Sequence, residues 1–191
     1  MIGHLNGRLV EKNPTELVIE CGGVGYEVKI SLNTFAQLGS EESIRLFTRL
    51  VVREDAHILY GFSTKEEREM FSHLVSVSGI GPNTAMIMLS SLVPDEIAHA
   101  IQSEDVRTIQ SIKGIGAKTA QRVIIDLKDK MIKMVFSNEN IFSQNNTNRF
   151  EALTALLSLG FDKKSAEKAI DKISTGEESV EQLIKGALKI L

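Results

Sequence analysis

The chain has 191 residues, with 22 basic and 25 acidic side chains and a formal net charge of −3. That length fits one large domain or two to three small ones, and the apolar and charged fractions are those of an ordinary globular protein. The single cysteine, Cys21, excludes an internal disulfide, and the scattered histidines (His4, His57, His73, His99) lack the cysteine or carboxylate neighbours of a zinc site. No apolar run is long enough to span a membrane and no secretory signal opens the chain, so a cytoplasmic location is expected.

The first sixty or so residues read as β. Segments 5–10, 16–21, 25–30, 44–52 and 57–62 alternate or run apolar and are rich in Val, Ile, Leu and Tyr. Asn13-Pro14, Gly22-Gly23 and Glu54-Asp55 separate them as turn signals. Five short strands in this space predict a small closed barrel of the OB type over residues 1–63. Residues 31–38 are expected to hold a short helix, and Cys21 is expected to be a small buried apolar residue.

Thr64 followed by Glu66 and Glu67 reads as a helix start, and the period stays helical from there to about residue 136. Pro94-Asp95-Glu96 opens a further helix inside this all-α segment. Within it one short pattern occurs twice. The first copy is Ser78-Gly79-Ile80-Gly81-Pro82-Asn83-Thr84-Ala85 and the second is Lys113-Gly114-Ile115-Gly116-Ala117-Lys118-Thr119-Ala120. Each reads as the end of an apolar helix, Gly-apolar-Gly, and a new helix opening with Thr-Ala.

This is the pattern of a helix-hairpin-helix. Glycines allow a tight turn and close approach of another backbone. The second helix then begins with unpaired N–H groups and the positive end of its dipole, which suit a phosphate. Ile80 and Ile115 are expected to pin each turn to the core. Contacts of this kind fix position on a nucleic acid without reading its bases. A lone Gly-Ile-Gly is often only a tight turn between helices, but two copies in register argue against that. A P-loop is rejected because Ala117 rather than Gly precedes Lys118 and the segment before Gly114 is helical in pattern, not a strand.

Overall charge gives no support to nucleic-acid binding, and residues 63–136 carry nine basic and nine acidic side chains. The basic residues recur after Gly114, so a local patch must supply the attraction. Lys118 and Arg122 lie i and i+4 on one helix face, and Lys128 follows further along, where contact and a simple solvated charge weigh equally. Residues 137–148 are polar and asparagine-rich and read as a flexible linker. Residues 149–191 return to helical periodicity, with Gly160 as a C-cap and a new start at Asp162, and predict a three-helix bundle.

Together these segments resemble the RuvA family, the Holliday-junction-binding subunits of the bacterial branch-migration machine. The resemblance rests on Met1-Ile2-Gly3, Gly22-Gly23-Val24-Gly25-Tyr26-Glu27-Val28, Val51-Val52-Arg53-Glu54-Asp55-Ala56, Leu59-Tyr60-Gly61-Phe62, both hairpins and Leu159-Gly160-Phe161. It implies an α+β multidomain protein: the barrel, the tandem hairpins and a small UBA-like bundle. It implies a homotetramer, one or two of which hold a four-way junction open and square, with no cofactor and no active site of its own. It further implies that the third domain contacts the RuvB motor, which hydrolyses ATP, and that the RuvC resolvase joins the complex.

For individual residues the resemblance implies the following. Glu54 and Asp55 match the acidic pin at the junction centre. Glu-Asp at such a turn is by itself ordinarily a solvated loop. Gathered round a fourfold axis, such a carboxylate and a phosphate ~6 Å apart would repel by about 3 kcal/mol at an effective dielectric of ~20, before salt screening. Gly79, Ile80, Gly81, Pro82, Asn83 and Thr84, and Gly114, Ile115, Gly116, Ala117, Lys118 and Thr119, with Arg122 and Lys128, match the DNA-contacting segments, the main-chain N–H groups of 81–84 and 116–119 meeting phosphate. Many relatives carry Lys where this chain has Asn83 and Ala117, so two phosphate-directed charges are absent, and Lys113 is a candidate to compensate. Leu156, Leu159, Phe161 and Leu188 match the RuvB-contact surface, although an apolar helical stripe is more often core. Two other functions compete: a helix-hairpin-helix structure-specific nuclease, for which Asp126 and Asp129 are the nearest carboxylates, and a ubiquitin-type binder in the last bundle.

Overall fold

In the computed structural model, which describes residues 1–39, 41–139, 144–174 and 178–191 (the side chains of 132–147 and 150 excepted), five strands form in the first third of the chain. They are β1 (His4–Lys12), β2 (Glu16–Cys21), β3 (Val24–Ile30), β4 (Ser43–Val52) and β5 (His57–Phe62). They close into a barrel in the order β1-β2-β3-β5-β4, every pair antiparallel except β3 with β5. The alternation seen in the sequence points Leu5, Leu17, Ile19, Val28, Ile30, Ile44, Leu46 and Leu59 inward. Gly22 and Gly23 both take positive φ, which a two-residue turn between β2 and β3 requires. Closure at β1 depends on Gly7, where a Cβ would meet the Glu20 carbonyl oxygen at 2.1 Å.

Helix α1 (Leu32–Gln37) fills the crossover between β3 and β4 and is capped by Ser31, whose Oγ accepts from Thr34 N. The helices that follow are α2 (Lys65–Val75), α3 (Pro82–Ser91), α4 (Pro94–Gln102), α5 (Val106–Gln110) and α6 (Ala117–Glu139). Thr64 caps α2 as expected, its Oγ1 accepting from Glu67 N at 3.1 Å. Barrel and hairpins form one compact unit, Met1–Met131, so the boundary expected at 63/64 separates two architectures within a single body.

Three features explain this. Outward-facing Tyr60 and Phe62 of β5 pack on Phe71 of α2, with ring centroids 5.0 and 5.1 Å apart, and all three are fully buried. Beside this seam lies Glu67, 1% exposed. Its carboxylate accepts from Ser31 Oγ and, at 2.6 Å, from Thr34 Oγ1, while Thr34 Oγ1 accepts from Ser63 N. A buried carboxylate is tolerable only with such partners. On the other side of α1, Asn33 Nδ2 donates to the Leu89 and Leu92 carbonyls and Leu32 N donates to Ser90 Oγ, tying α1 to α3.

The second unit, Ile132–Leu191, contains α7 (Gln144–Ser158), α8 (Lys163–Ile173) and α9 (Val180–Ala187). Its core is small: Ala152, Leu156, Ala166, Ala169, Ile170, Leu183 and Ala187. Gly160, at φ +97°, ends α7 as read from the sequence, with Phe161 N donating back to the Leu156 carbonyl at 3.2 Å. The polar stretch 137–148 differs from its reading as a linker, because α6 continues to Glu139 and α7 begins at Gln144. Asparagine, serine and glutamine carry only modest helix penalties, so established helices extend into them. The centre of that stretch, 140–143, lies outside the described residues. Cys21 is half-buried rather than buried, its Sγ 3.3 Å from the Asn6 carbonyl oxygen.

Candidate nucleic-acid interface

The two repeated turns adopt the same backbone course. In the first, between α2 and α3, Ile80 N donates to the Val77 carbonyl at 3.0 Å and Ala85 N donates to Gly81 O at 3.0 Å. In the second, between α5 and α6, Ile115 N donates to Ile112 O at 3.1 Å and Ala120 N to Gly116 O at 2.9 Å. Ile80 and Ile115 are 4% and 5% exposed, so each does anchor its turn from below.

The glycines divide the work. Gly79 and Gly114 have φ of +96° and +90°, conformations that L side chains rarely adopt. Gly81 is different: it sits at φ −84°, ψ 167°, as the N-cap of α3. Gly116, the equivalent residue, also has no positive φ. A Cβ built on either would meet nothing within 4 Å. Nothing inside the chain therefore demands glycine at 81 or 116. What the missing side chain leaves is clearance above a helix N-terminus, where a sugar-phosphate backbone can approach the N–H groups.

The donors are not equal in the two turns. A glycine N-cap supplies no side-chain acceptor, so the first-turn amides stay unpaired within the chain. In the second turn these are the N–H groups of Gly116, Ala117, Lys118 and Thr119. In the first, position 82 is proline at N1 and has no N–H, which removes one donor from the expected run and leaves Gly81, Asn83 and Thr84.

Side chains follow the same asymmetry. Lys118 is exposed at the start of α6, and Arg122 lies one turn on. Arg122 has Asp126 3.8 Å away, both ends largely solvated, a pairing weak enough to be exchanged for phosphate. Lys113 is exposed at the turn itself. Lys128 is not brought to this site. It pairs with Glu104 in the loop before α5 and lies about 16 Å along the helix from Ala117. That pairing holds the Glu104 carboxyl below the ordinary value, by the hydrogen bond from Lys128 first and its charge second. Asn83 is exposed, and its Oδ1 accepts from Tyr60 OH of the barrel at 3.3 Å.

Glu54 and Asp55 stand exposed at the β4–β5 turn, which Arg53 N closes by donating to Ala56 O at 2.8 Å. In the second unit Leu159 and Leu188 are 62% and 43% exposed and Phe161 is half-buried. Leu156 is fully buried in the core, so it corrects the expected contact set: it shapes the surface from beneath and does not form it. Beside Phe161 an open groove of about 390 Å³ runs to Ile190 and Leu191, apolar residues that the sequence reading did not single out. Among the described residues no three His, Cys, Asp or Glu side chains lie together to hold a metal ion, and no helix is long and apolar enough to cross a membrane.

Fold and turns together define a class: an OB-type barrel fused to a tandem helix-hairpin-helix built for nucleic-acid backbone. Family models match along nearly the whole chain: the RuvA N terminal domain over residues 1–61, a SAM-like helix-hairpin-helix tandem over 71–129 and the RuvA C-terminal domain over 147–191. The chain is 56% identical, over all of both sequences, to the Holliday junction branch migration complex subunit RuvA of Christiangramia forsetii and to that of Flavobacterium psychrophilum. It is 42% identical to that of Coxiella burnetii over 99% of this chain and 97% of the relative. The chain belongs to the RuvA family.

Proposed function

We propose that this protein is the DNA-binding subunit of a branch-migration complex, a scaffold that holds a four-way junction. The observation that carries the reading is the pair of unobstructed helix N-termini at Gly81 and Gly116, set in one unit with the acidic turn at Glu54 and Asp55. Main-chain amides grip phosphate without regard to sequence. The carboxylates repel strands from the junction centre and keep the arms apart. A homotetramer, alone or paired on the DNA, supplies the fourfold set of grips. Leu159, Phe161 and Leu188 form the docking surface for the RuvB ATPase, which supplies the energy, and RuvC joins the same assembly.

A nuclease reading lacks its chemistry. Asp126 is engaged with Arg122, and no carboxylate cluster among the described residues supports metal-assisted cleavage. The test is a gel-shift titration of a synthetic four-way junction against linear duplex of the same sequence, at low and physiological salt. Discrete shifted bands on the junction at concentrations that leave duplex free are expected. Equal binding to both would overturn the reading.

A further inference from the structure

The two hairpins differ in charge in a way that their shared backbone conceals. The second presents Lys113, Lys118 and Arg122. The first presents none: neither its turn, 76–81, nor the whole of α3 (Pro82–Ser91) carries a charged residue. It also lacks the amide donor at Pro82. Acting alone it would hold phosphate with three amides and a helix dipole.

The barrel lies against this turn. Tyr60 of β5 donates to Asn83 Oδ1 at 3.3 Å. In the β4–β5 ladder Arg49 is directly opposite Tyr60. Directly opposed residues project from the same face with Cβ atoms about 5 Å apart. That face is the outer one, since Leu46 and Leu59 point inward and Tyr60 packs on Phe71. Arg49 is exposed on β4, and Arg53, also exposed, lies one residue past the end of that strand, where its N–H closes the turn into β5. Arg53 is close enough to Tyr60 to be felt electrostatically: burial raises the phenol above its ordinary value and the Arg53 charge opposes that rise. Among the described residues neither arginine enters an ion pair. The other cation near this hairpin, Lys130, is directed to Ser76 Oγ at the C-terminal end of α2.

From this we infer that Arg49 and Arg53 of the barrel complete the phosphate site of the first hairpin, supplying from β4 and the turn after it the positive charge that its own turn and helix lack. Tyr60 is the positioning residue, bridging the barrel face to Asn83. The ligand is the nucleic-acid backbone that crosses Gly81. The inference rests on the proposed junction binding and extends it, because it makes the barrel part of the grip.

The experiment is equilibrium binding of the full chain to a fluorescent four-way junction over about 0.05–0.4 M salt, reading the slope of log K against log salt. Each phosphate-directed cation contributes about one unit of slope per bound subunit. The double variant Arg49→Gln, Arg53→Gln is expected to flatten the slope by about two units per subunit. Adding Asn83→Lys to that background should restore about one, because the new cation reaches the same phosphates. Lys118→Gln is the internal control and should flatten the slope by about one. An unchanged slope in the double variant beside a flattened one in Lys118→Gln overturns the inference and leaves junction binding intact. A flattened slope that Asn83→Lys fails to restore places the arginines at other phosphates and also overturns it. If Lys118→Gln and the double variant both leave the slope unchanged, the hairpin reading itself fails. Thermal melting of each variant confirms that the comparison is made on folded chains.

Discussion

The division of labour between the glycines makes a sharp prediction at the second hairpin. Gly114 and Gly116 are two residues apart and both exposed, yet alanine should act on them in opposite ways. At Gly114 the backbone sits at φ +90°, so Gly114→Ala must hold an L residue in the left-handed half of the map, at a cost of about 1–2 kcal/mol. For a unit of this size that lowers the melting temperature by about 4–8 °C. At Gly116 the φ is not positive and the new methyl meets nothing within 4 Å. There the loss of a glycine N-cap, a few tenths to about 1 kcal/mol, is offset by about 0.4–1 kcal/mol from the less flexible unfolded chain. Gly116→Ala should therefore melt within about 2 °C of the parent. On DNA the order reverses, because the methyl stands where the sugar-phosphate backbone approaches the Gly116–Thr119 amides. Differential scanning fluorimetry and junction titration on the same preparations give both numbers. If Gly116→Ala keeps full junction affinity, the clearance at that position is not used by DNA and the reasoning from glycine geometry fails.

Other substitutions separate core from surface in the same manner. Glu67→Ala would strand the buried Ser31 and Thr34 hydroxyls, and urea unfolding should show a loss of about 2–4 kcal/mol for the first unit; a change under ~0.5 kcal/mol would mean the three groups do not form a coupled network. In the second unit Leu156→Ala should cost about 2–5 kcal/mol by thermal melting, whereas Leu159→Ser should leave stability near that of the parent and lower stimulation of the RuvB ATPase; equal stability losses would place Leu159 in the core. The Asp105 carboxylate caps α5 and is held below its ordinary pKa by the Thr108 hydroxyl first, then by the Thr108 and Arg107 amides. Its folded pKa lies below the unfolded one, so the stability it contributes is present above the unfolded carboxylate value and disappears as pH falls through the folded one. Melting profiles taken down to about pH 2 should show a smaller acid-dependent loss in Asp105→Asn than in the parent, and identical profiles would refute the cap's role.

Most of the architecture was legible in the chain. Five alternating runs with Gly22-Gly23 between the second and third gave the barrel, and Thr64, Pro94 and Gly160 marked helix ends where the structure has them. These features are local, and local sequence carries them. The two Gly-Ile-Gly turns were visible because the repetition itself is information. What escaped the sequence depends on contacts between distant segments. Leu156 and Leu159 belong to one apolar stripe, and only the packing of α8 and α9 decides that the first is core and the second surface. Lys128 follows the second hairpin further along α6, and nothing local in the sequence tells that Glu104, brought round by the loop before α5, claims it. Arg49 gave no signal at all, because its relation to Asn83 runs through a strand register and the Tyr60 hydroxyl.

The aromatic seam between β5 and α2 sets a limit on how this protein can be taken apart. Helix-hairpin-helix modules invite transplantation, and residue 64 looks like a natural place to cut. Yet Met70, Phe71 and Leu74 are shielded in the intact unit, and the barrel strand carrying Tyr60 and Phe62 covers the Phe71 ring. A fragment starting at 64 would open that side to water at about 1.5–3 kcal/mol for each large side chain uncovered. It would also leave Glu67 without either hydroxyl partner. The portable unit is therefore the whole of Met1–Met131, and a graft of the hairpins onto another protein must carry the barrel with it.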